Sequence, residues 1–266
     1  MKASEAEEMI RVKDDRDVAF IALVGSRNYN LHNEASDYDF IGFTSPYLEE
    51  MYHNNHYFKE LKGTTLDNRG GKDWFPEPYE IRIHDIRKLP GLLWKSNPSY
   101  LEILFSKDIC IYDDYVWLVR DRENIARINL PYLYNASMGI VLNKIKYLEK
   151  GTSNTKELVE KHGYDPKMAM HALRGLYMIR DYAGNNFTNY EQCVRSPGSH
   201  IYTENHLKHI KEGYMNIEDI KDMIGLQIEL AEGCKESYMS KEPDEELNLK
   251  IRDGIKEIVL EPWRKT

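Results

Sequence analysis

Two aspartates two residues apart, Asp37 and Asp39 in Ser36-Asp37-Tyr38-Asp39, are the residues of this sequence best suited to chemistry. On an extended chain, side chains alternate between faces, so carboxylates at i and i+2 project together and close enough to share divalent cations. By themselves such a pair also suits a solvated strand face. Eleven residues before Asp37 stands Ser26, in Gly25-Ser26-Arg27-Asn28-Tyr29-Asn30. A strand ending in Gly-Ser exposes backbone N–H groups at a tight turn, a ready site for phosphate oxygens, and the serine hydroxyl adds one ligand. A third carboxylate on an adjacent strand would complete a site for two Mg²⁺ ions, with Mn²⁺ as the alternative. One ion would activate an attacking hydroxyl and the other would hold a triphosphate and its leaving pyrophosphate. Glu80 is the candidate, because it opens the alternating run Tyr79-Glu80-Ile81-Arg82-Ile83-His84 on the face opposite Ile81 and Ile83. Its alternative is an exposed strand residue paired with a Lys or Arg, while Asp85, at the strand-to-helix transition, reads as a helix cap. Arg27 and Arg82 flank the site, to neutralise phosphate charge or to pair with its carboxylates.

A second constellation lies at Lys167, His171 and Arg174, spaced i, i+4 and i+7 on one helix face beside an apolar face of Met170, Leu173 and Tyr177. It suits a clamp on a triphosphate or on an acceptor's phosphate, Arg as a bidentate fork and Lys as a point charge. The alternative is a solvated helix face with His171 satisfied by a neighbour.

Periodicity gives the strands and helices on which these residues sit. A short helix over residues 4 to about 16 precedes the apolar strand Val18 to Val24, and Tyr38 to Phe43 alternates as a second strand. Residues 60 to 78, rich in Gly, Pro and charge, read as a long, mobile loop or hairpin, and 79 to 84 as a third strand. Asn97-Pro98 restarts a helix as N-cap and first residue, a structural role that also accounts for Glu102. Helical signals then dominate: 132 to 149 with a stripe including Leu133, Ile140 and Leu142, a helix from Asp165-Pro166 to about Gly184, and others at 203 to 212, 216 to 236 and 245 to 260. The expected organisation is a catalytic domain over 1–124, a helical domain over 125–236 and a tail with a terminal helix over 237–266.

Composition sets the outer limits. The 266 residues carry 36 Lys plus Arg against 44 Asp plus Glu, a net charge of −8, with 41% hydrophobic residues. That excludes wholesale disorder and argues against extended, non-specific binding to a polyanion. No apolar run reaches membrane-spanning length, and the acidic start, Met1 to Glu8, lacks the basic flank and apolar core of a secretory signal, so a cytoplasmic chain is expected. Three scattered cysteines, Cys110, Cys193 and Cys234, suggest reduced, mostly buried thiols.

Gly25-Ser26, the spacing to Ser36-Asp37-Tyr38-Asp39 and a later strand carboxylate resemble the DNA polymerase beta superfamily of nucleotidyltransferases. Lys95-Ser96-Asn97-Pro98 with Glu102-Ile103-Leu104-Phe105, Tyr164-Asp165-Pro166-Lys167-Met168-Ala169-Met170-His171 with Arg174, and Pro243-Asp244 narrow the resemblance to a bacterial and phage-borne family whose RNA-repair-associated branch is named RlaP. The resemblance implies an α+β fold: a minimal polymerase-beta-type palm, a mixed sheet with flanking helices, followed by an all-helical domain. It implies two divalent metals on Asp37, Asp39 and Glu80, and transfer of a nucleoside monophosphate from an NTP to a hydroxyl, with pyrophosphate released. The nucleotide would be bound by Gly25, Ser26, Arg27, Lys167, His171 and Arg174. One departure is Asn30, where the family usually has glycine; asparagine still reaches a left-handed turn conformation. The family's repair branch points to an RNA end, a tRNA or a damaged RNA, as acceptor. Contacts are expected at Lys59, Lys62, Arg69 and Lys72, at Lys144, Lys146 and Lys150, and at the rings of Tyr57, Trp74 and Tyr147. The competing readings are a regulator that nucleotidylates protein and a non-catalytic nucleotide sensor or partner-binding protein.

Overall fold

The computed structural model describes residues 1–34, 36–63, 78–153, 155–195 and 204–264. Five strands form one mixed sheet: β1 (Val18–Val24), β2 (Tyr38–Thr44), β3 (Phe58–Gly63), β4 (Tyr79–Asp85) and β5 (Ile109–Ile111), in the order β3-β4-β2-β1-β5. β2 and β4 run parallel, and the other pairs are antiparallel. β1 is apolar throughout because it lies inside the sheet and is buried along its whole length. The helix Ala3–Asp14 covers one face: its Ala3, Ala6 and Ile10 pack with Ile21, Leu23, Phe40, Ile81 and Ile83. That helix stops at Asp15, whose left-handed conformation (φ 50°) closes the last turn with a bond from its N–H to the Arg11 carbonyl. The opposite sheet face carries Asp39 and Glu80.

The strands read from the sequence are present, and the stretch read as a loop or hairpin begins as a further strand that pairs antiparallel with β4, the hairpin alternative. β3 continues to Gly63, as the sheet's edge, with Phe58, Glu60 and Lys62 exposed and Lys59 and Leu61 half-buried. Its charges, which made it look irregular, are what a solvent-facing edge strand carries. Arg69, Lys72 and Trp74 lie outside the described residues. β5, three residues long, was too short for a periodic signal, as were the helical turns Leu48–Tyr52 and Val116–Arg120.

By contact the chain forms two units: Met1–Trp94 with Ser99–Ile128 and Asp244–Thr266, and Lys95–Pro98 with Asn129–Pro243. In the first, the terminal helix Glu245–Arg264 packs on the helix Leu89–Trp94 and buries Leu247, Ile251, Ile255 and Val259. The second is helical and is organised around Pro166–Gly184, which packs against Leu130–Lys146, Ile217–Gly233 and Glu204–Lys211. Buried Asp165 caps the central helix, accepting bonds from the Lys167 and Met168 N–H groups at 2.9 and 3.1 Å. Leu142, expected in the apolar stripe of its helix, is 55% exposed because the preceding residue, Val141, takes the inward position. The three cysteines are free thiols. No helix among the described residues is long and apolar enough to cross a membrane.

Candidate active site

The phosphate turn and the carboxylates meet because of strand register. Val24, the last residue of β1, pairs with Asp39 on β2; Asp39 pairs with Glu80 on β4; and Glu80 pairs with Lys62 on β3. One row across four strands therefore runs from the turn through two carboxylates to a lysine. Gly25 follows Val24 with φ +70°, and a Cβ there would fall 2.5 Å from Asp39 Oδ2. The turn must be glycine both for its backbone angle and for the closeness of that carboxylate.

Arg27 binds the two halves together. Its guanidinium lies 3.8 Å over the Tyr38 ring and donates to the carbonyls of Ser36 (2.7 Å from Nη2) and Asp37 (3.2 Å from Nε). Those bonds fix the backbone that presents the exposed Asp37 just before β2. Asn30 has φ 60°, the left-handed turn conformation allowed for it on sequence grounds, and its side chain accepts a bond from Lys107 Nζ at 3.1 Å. Asn28 was not singled out from the sequence. It is 2% exposed, its Oδ1 accepts from the Lys107 N–H at 3.0 Å, and its Nδ2 has no hydrogen-bond partner among the described residues. A buried amide donor left open in this turn suits an anionic ligand.

Glu80 makes two ion pairs, with Lys62 Nζ at 3.2 Å and with Arg82 Nε at 3.7 Å. Arg82, which sequence reasoning placed beside the site, thus holds a carboxylate, as does Lys62, which had been assigned to an acceptor. Tyr57 and Lys59 turn away from this face. Both reach Asp14, and the Arg16 guanidinium lies 3.4 Å over the Tyr57 ring.

Comparison with known proteins narrows the reading of this arrangement. Residues 1–186 match the family model described as "RlaP: RNA repair pathway DNA polymerase beta family". The chain belongs to the RlaP family. RlaP proteins are thus polymerase-beta-family nucleotidyltransferases linked to an RNA repair pathway, and this one carries the mixed sheet followed by a mostly helical region. Among solved structures the chain is similar to a nucleotidyltransferase-like protein from Exiguobacterium sibiricum 255-15, at 14% identity over 88% of this chain and 74% of that one, with a TM-score of 0.32. No curated protein matches the chain.

The stretch matched to RlaP includes the second constellation. Lys167, His171 and Arg174 lie on the central helix of the helical unit. Burial pushes the His171 pKa down to about 3, with the charges of Arg174, Lys144, Lys211 and Lys167 acting in the same direction, so its ring is neutral at physiological pH. The Arg174 guanidinium donates to the Val194 carbonyl at 3.2 Å. Lys144 and Lys211, on helices that pack against this one, add to the positive field on His171, and no sequence spacing links them to it. Among the described residues no group of three His, Cys, Asp or Glu side chains is gathered as metal ligands. The donor set of the RlaP sheet still fits a hard divalent cation. Of the three carboxylates expected from the sequence, Asp39 and Glu80 are in register across β2 and β4, their oxygens are the donors such a cation takes, and the missing Cβ of Gly25 leaves space against Asp39 Oδ2.

Proposed function

We propose that this chain transfers a nucleoside monophosphate from an NTP to the hydroxyl of an RNA end, a tRNA or a damaged RNA, with release of pyrophosphate. The observation that carries the reading is the row of Val24, Asp39 and Glu80 across β1, β2 and β4, which brings the Gly25 turn that follows Val24 against one carboxylate in register with a second. In the reaction the acceptor oxygen forms a bond to the α-phosphorus, the bond to the β-phosphate oxygen breaks, and pyrophosphate departs. Two Mg²⁺ ions, when bound, favour the alkoxide form of the acceptor and neutralise charge on the triphosphate. Asp37, Asp39 and Glu80 would hold them. Gly25 and Ser26 bind the terminal phosphates, with Arg27 keeping Asp37 in place, and Glu80 is assigned the acceptor's proton. Lys167, His171 and Arg174 are assigned to nucleotide phosphates.

Calorimetry with ATP, GTP, CTP and UTP, with and without Mg²⁺, tests the nucleotide site. Binding should depend on Mg²⁺ and be lost in D37A/D39A; metal-dependent binding unchanged in that double variant removes the assignment. Incubation with α-³²P-labelled NTPs and total RNA or total protein then identifies the acceptor. Label in RNA is expected, label confined to protein supports the nucleotidylating regulator, and tight binding without pyrophosphate release supports a sensor.

A further inference from the structure

The sheet face that bears the carboxylates continues beyond Glu80 into an aromatic cluster. Along β4, Arg82 and His84 project from the same face as Glu80, and the register partners of His84 are Phe43 on β2 and Phe58 on β3. Among the described residues, three rings stand against the imidazole: Phe58 at 5.0 Å, Phe43 at 5.6 Å and, edge-on, Tyr100 at 5.6 Å. Phe43 is fully buried and belongs to the core. Phe58 does not: it is 51% exposed on the edge strand, in an outward row whose other members are Glu60 and Lys62. A half-exposed phenylalanine there adds little to packing and leaves apolar surface on an edge that charge otherwise protects.

His84 provides a second, independent observation. It is 8% exposed, and its Nε2 is buried with no hydrogen-bond partner among the described residues. Nearly all buried polar atoms in folded proteins have one. Burial, with Arg82 and Lys88 nearby, holds the His84 pKa down to about 4, so the ring is neutral and offers one donor and one acceptor nitrogen.

We propose that Phe58, His84 and Tyr100 form the seat for the unpaired terminal bases of the acceptor RNA. The proposal rests on the reading of the sheet as a nucleotidyl-transfer site and deepens it. Sheet order decides which substrate lies here. The phosphate turn follows β1 on one side of Asp39, and Glu80 with β3 lies on the other. A triphosphate on the turn directs its leaving pyrophosphate toward β1, and in an in-line displacement the attacking hydroxyl enters from the opposite side, over β4 and β3. Glu80 and His84 are four residues apart, about 13 Å of strand, so a hydroxyl at Glu80 leaves the neighbouring bases above these rings. Stacking on aromatic faces suits single-stranded RNA and tolerates any base, because every base has a π-face. Tyr57, the ring expected to stack on sequence grounds, is held under Arg16, and the next residue along carries the exposed ring.

The test uses a short single-stranded oligoribonucleotide with 2-aminopurine next to its 3′ end, whose fluorescence falls on stacking. It is titrated into the full-length wild type and into F58A, F58L and F58Y, alongside calorimetry of ATP with Mg²⁺. Wild type and F58Y should bind with quenching. F58A and F58L should bind about tenfold more weakly, the scale of one lost base–aromatic stack, and lose the quenching, with ATP affinity and melting temperature unchanged. Equal binding and quenching in F58A and wild type overturns the proposal, as does a wild type that binds ATP with Mg²⁺ but no oligoribonucleotide. A wild type that binds and quenches the oligoribonucleotide but takes no NTP supports the seat and removes the transfer chemistry instead.

Discussion

Gly25 is constrained twice, by a φ of +70° and by Asp39 Oδ2, which leaves no room for a Cβ. Gly25→Ala is therefore expected to lower unfolding stability by about 1–2 kcal/mol from the left-handed backbone alone, measured by urea denaturation. It should also displace Asp39 and weaken Mg²⁺-dependent NTP binding in calorimetry at least tenfold. The glycine's identity was readable from the sequence because a Gly-Ser turn after a strand is a local pattern. Its contact with Asp39 was not, since it depends on the pairing of Val24 with a residue in another strand. His84 makes a different prediction. Its pKa is about 4 in the fold against about 6.5 in an unfolded chain, so between those values the unfolded state binds more protons. Stability should be level above pH 6.5 and fall as the pH drops from 6.5 to 4. His84→Phe keeps a ring among Phe43, Phe58 and Tyr100 and removes the titrating group. Its loss of stability over that window should be smaller than wild type's by up to about 3 kcal/mol. His171 shifts in the same direction and remains in both proteins, so the difference between the two pH profiles is the readout, and identical profiles would show His84 to be uninvolved.

At the scale of elements, the edge strand β3 governs the third carboxylate. Lys62 is in register with Glu80 and pairs with it at 3.2 Å, and a divalent cation must compete with that ammonium for the same oxygens. Lys62→Ala should lower the Mg²⁺ concentration needed for half-maximal NTP binding severalfold; an unchanged or raised requirement would mean that Lys62 assists the cation or the nucleotide instead. The sequence leaves β3 open between loop and hairpin because charge falls on both of its faces, Glu60 and Lys62 on one and Lys59 on the other, and only pairing with β4 makes it a strand. The central helix of the second unit was legible for the opposite reason. Asp165-Pro166 is a local start signal, and Asp165 accepts from two first-turn N–H groups. Replacing it with Ala should cost about 1–2 kcal/mol in urea denaturation and loosen the helix carrying Lys167, His171 and Arg174, seen as faster amide exchange in its first turn.

At the scale of the whole molecule, the last segment of the chain completes the unit that contains the first. The helix Glu245–Arg264 buries Ile251 and Ile255 and packs on Leu89–Trp94, so the sheet-bearing unit is assembled from both ends of the sequence. Ile255→Ala should destabilise the protein by about 2–4 kcal/mol, as large-to-small core substitutions do, with a lower melting temperature as the readout. Elements whose signals are local were legible in the amino-acid sequence: the apolar strand Val18–Val24, the Gly-Ser turn, the Asp-x-Asp pair, the alternation from Tyr79 and the capped helix from Pro166, along with the resemblance to RlaP that these motifs carry. Periodicity and capping act over a few residues, and their causes lie inside the window being read. Which residues became neighbours was set by the fold as a whole: Gly25 against Asp39, Lys62 on Glu80, and Phe58 and Tyr100 around His84. Such contacts depend on strand order, register and helix packing, which are set by burial of the entire chain at once and leave no signature in the spacing of the residues they join.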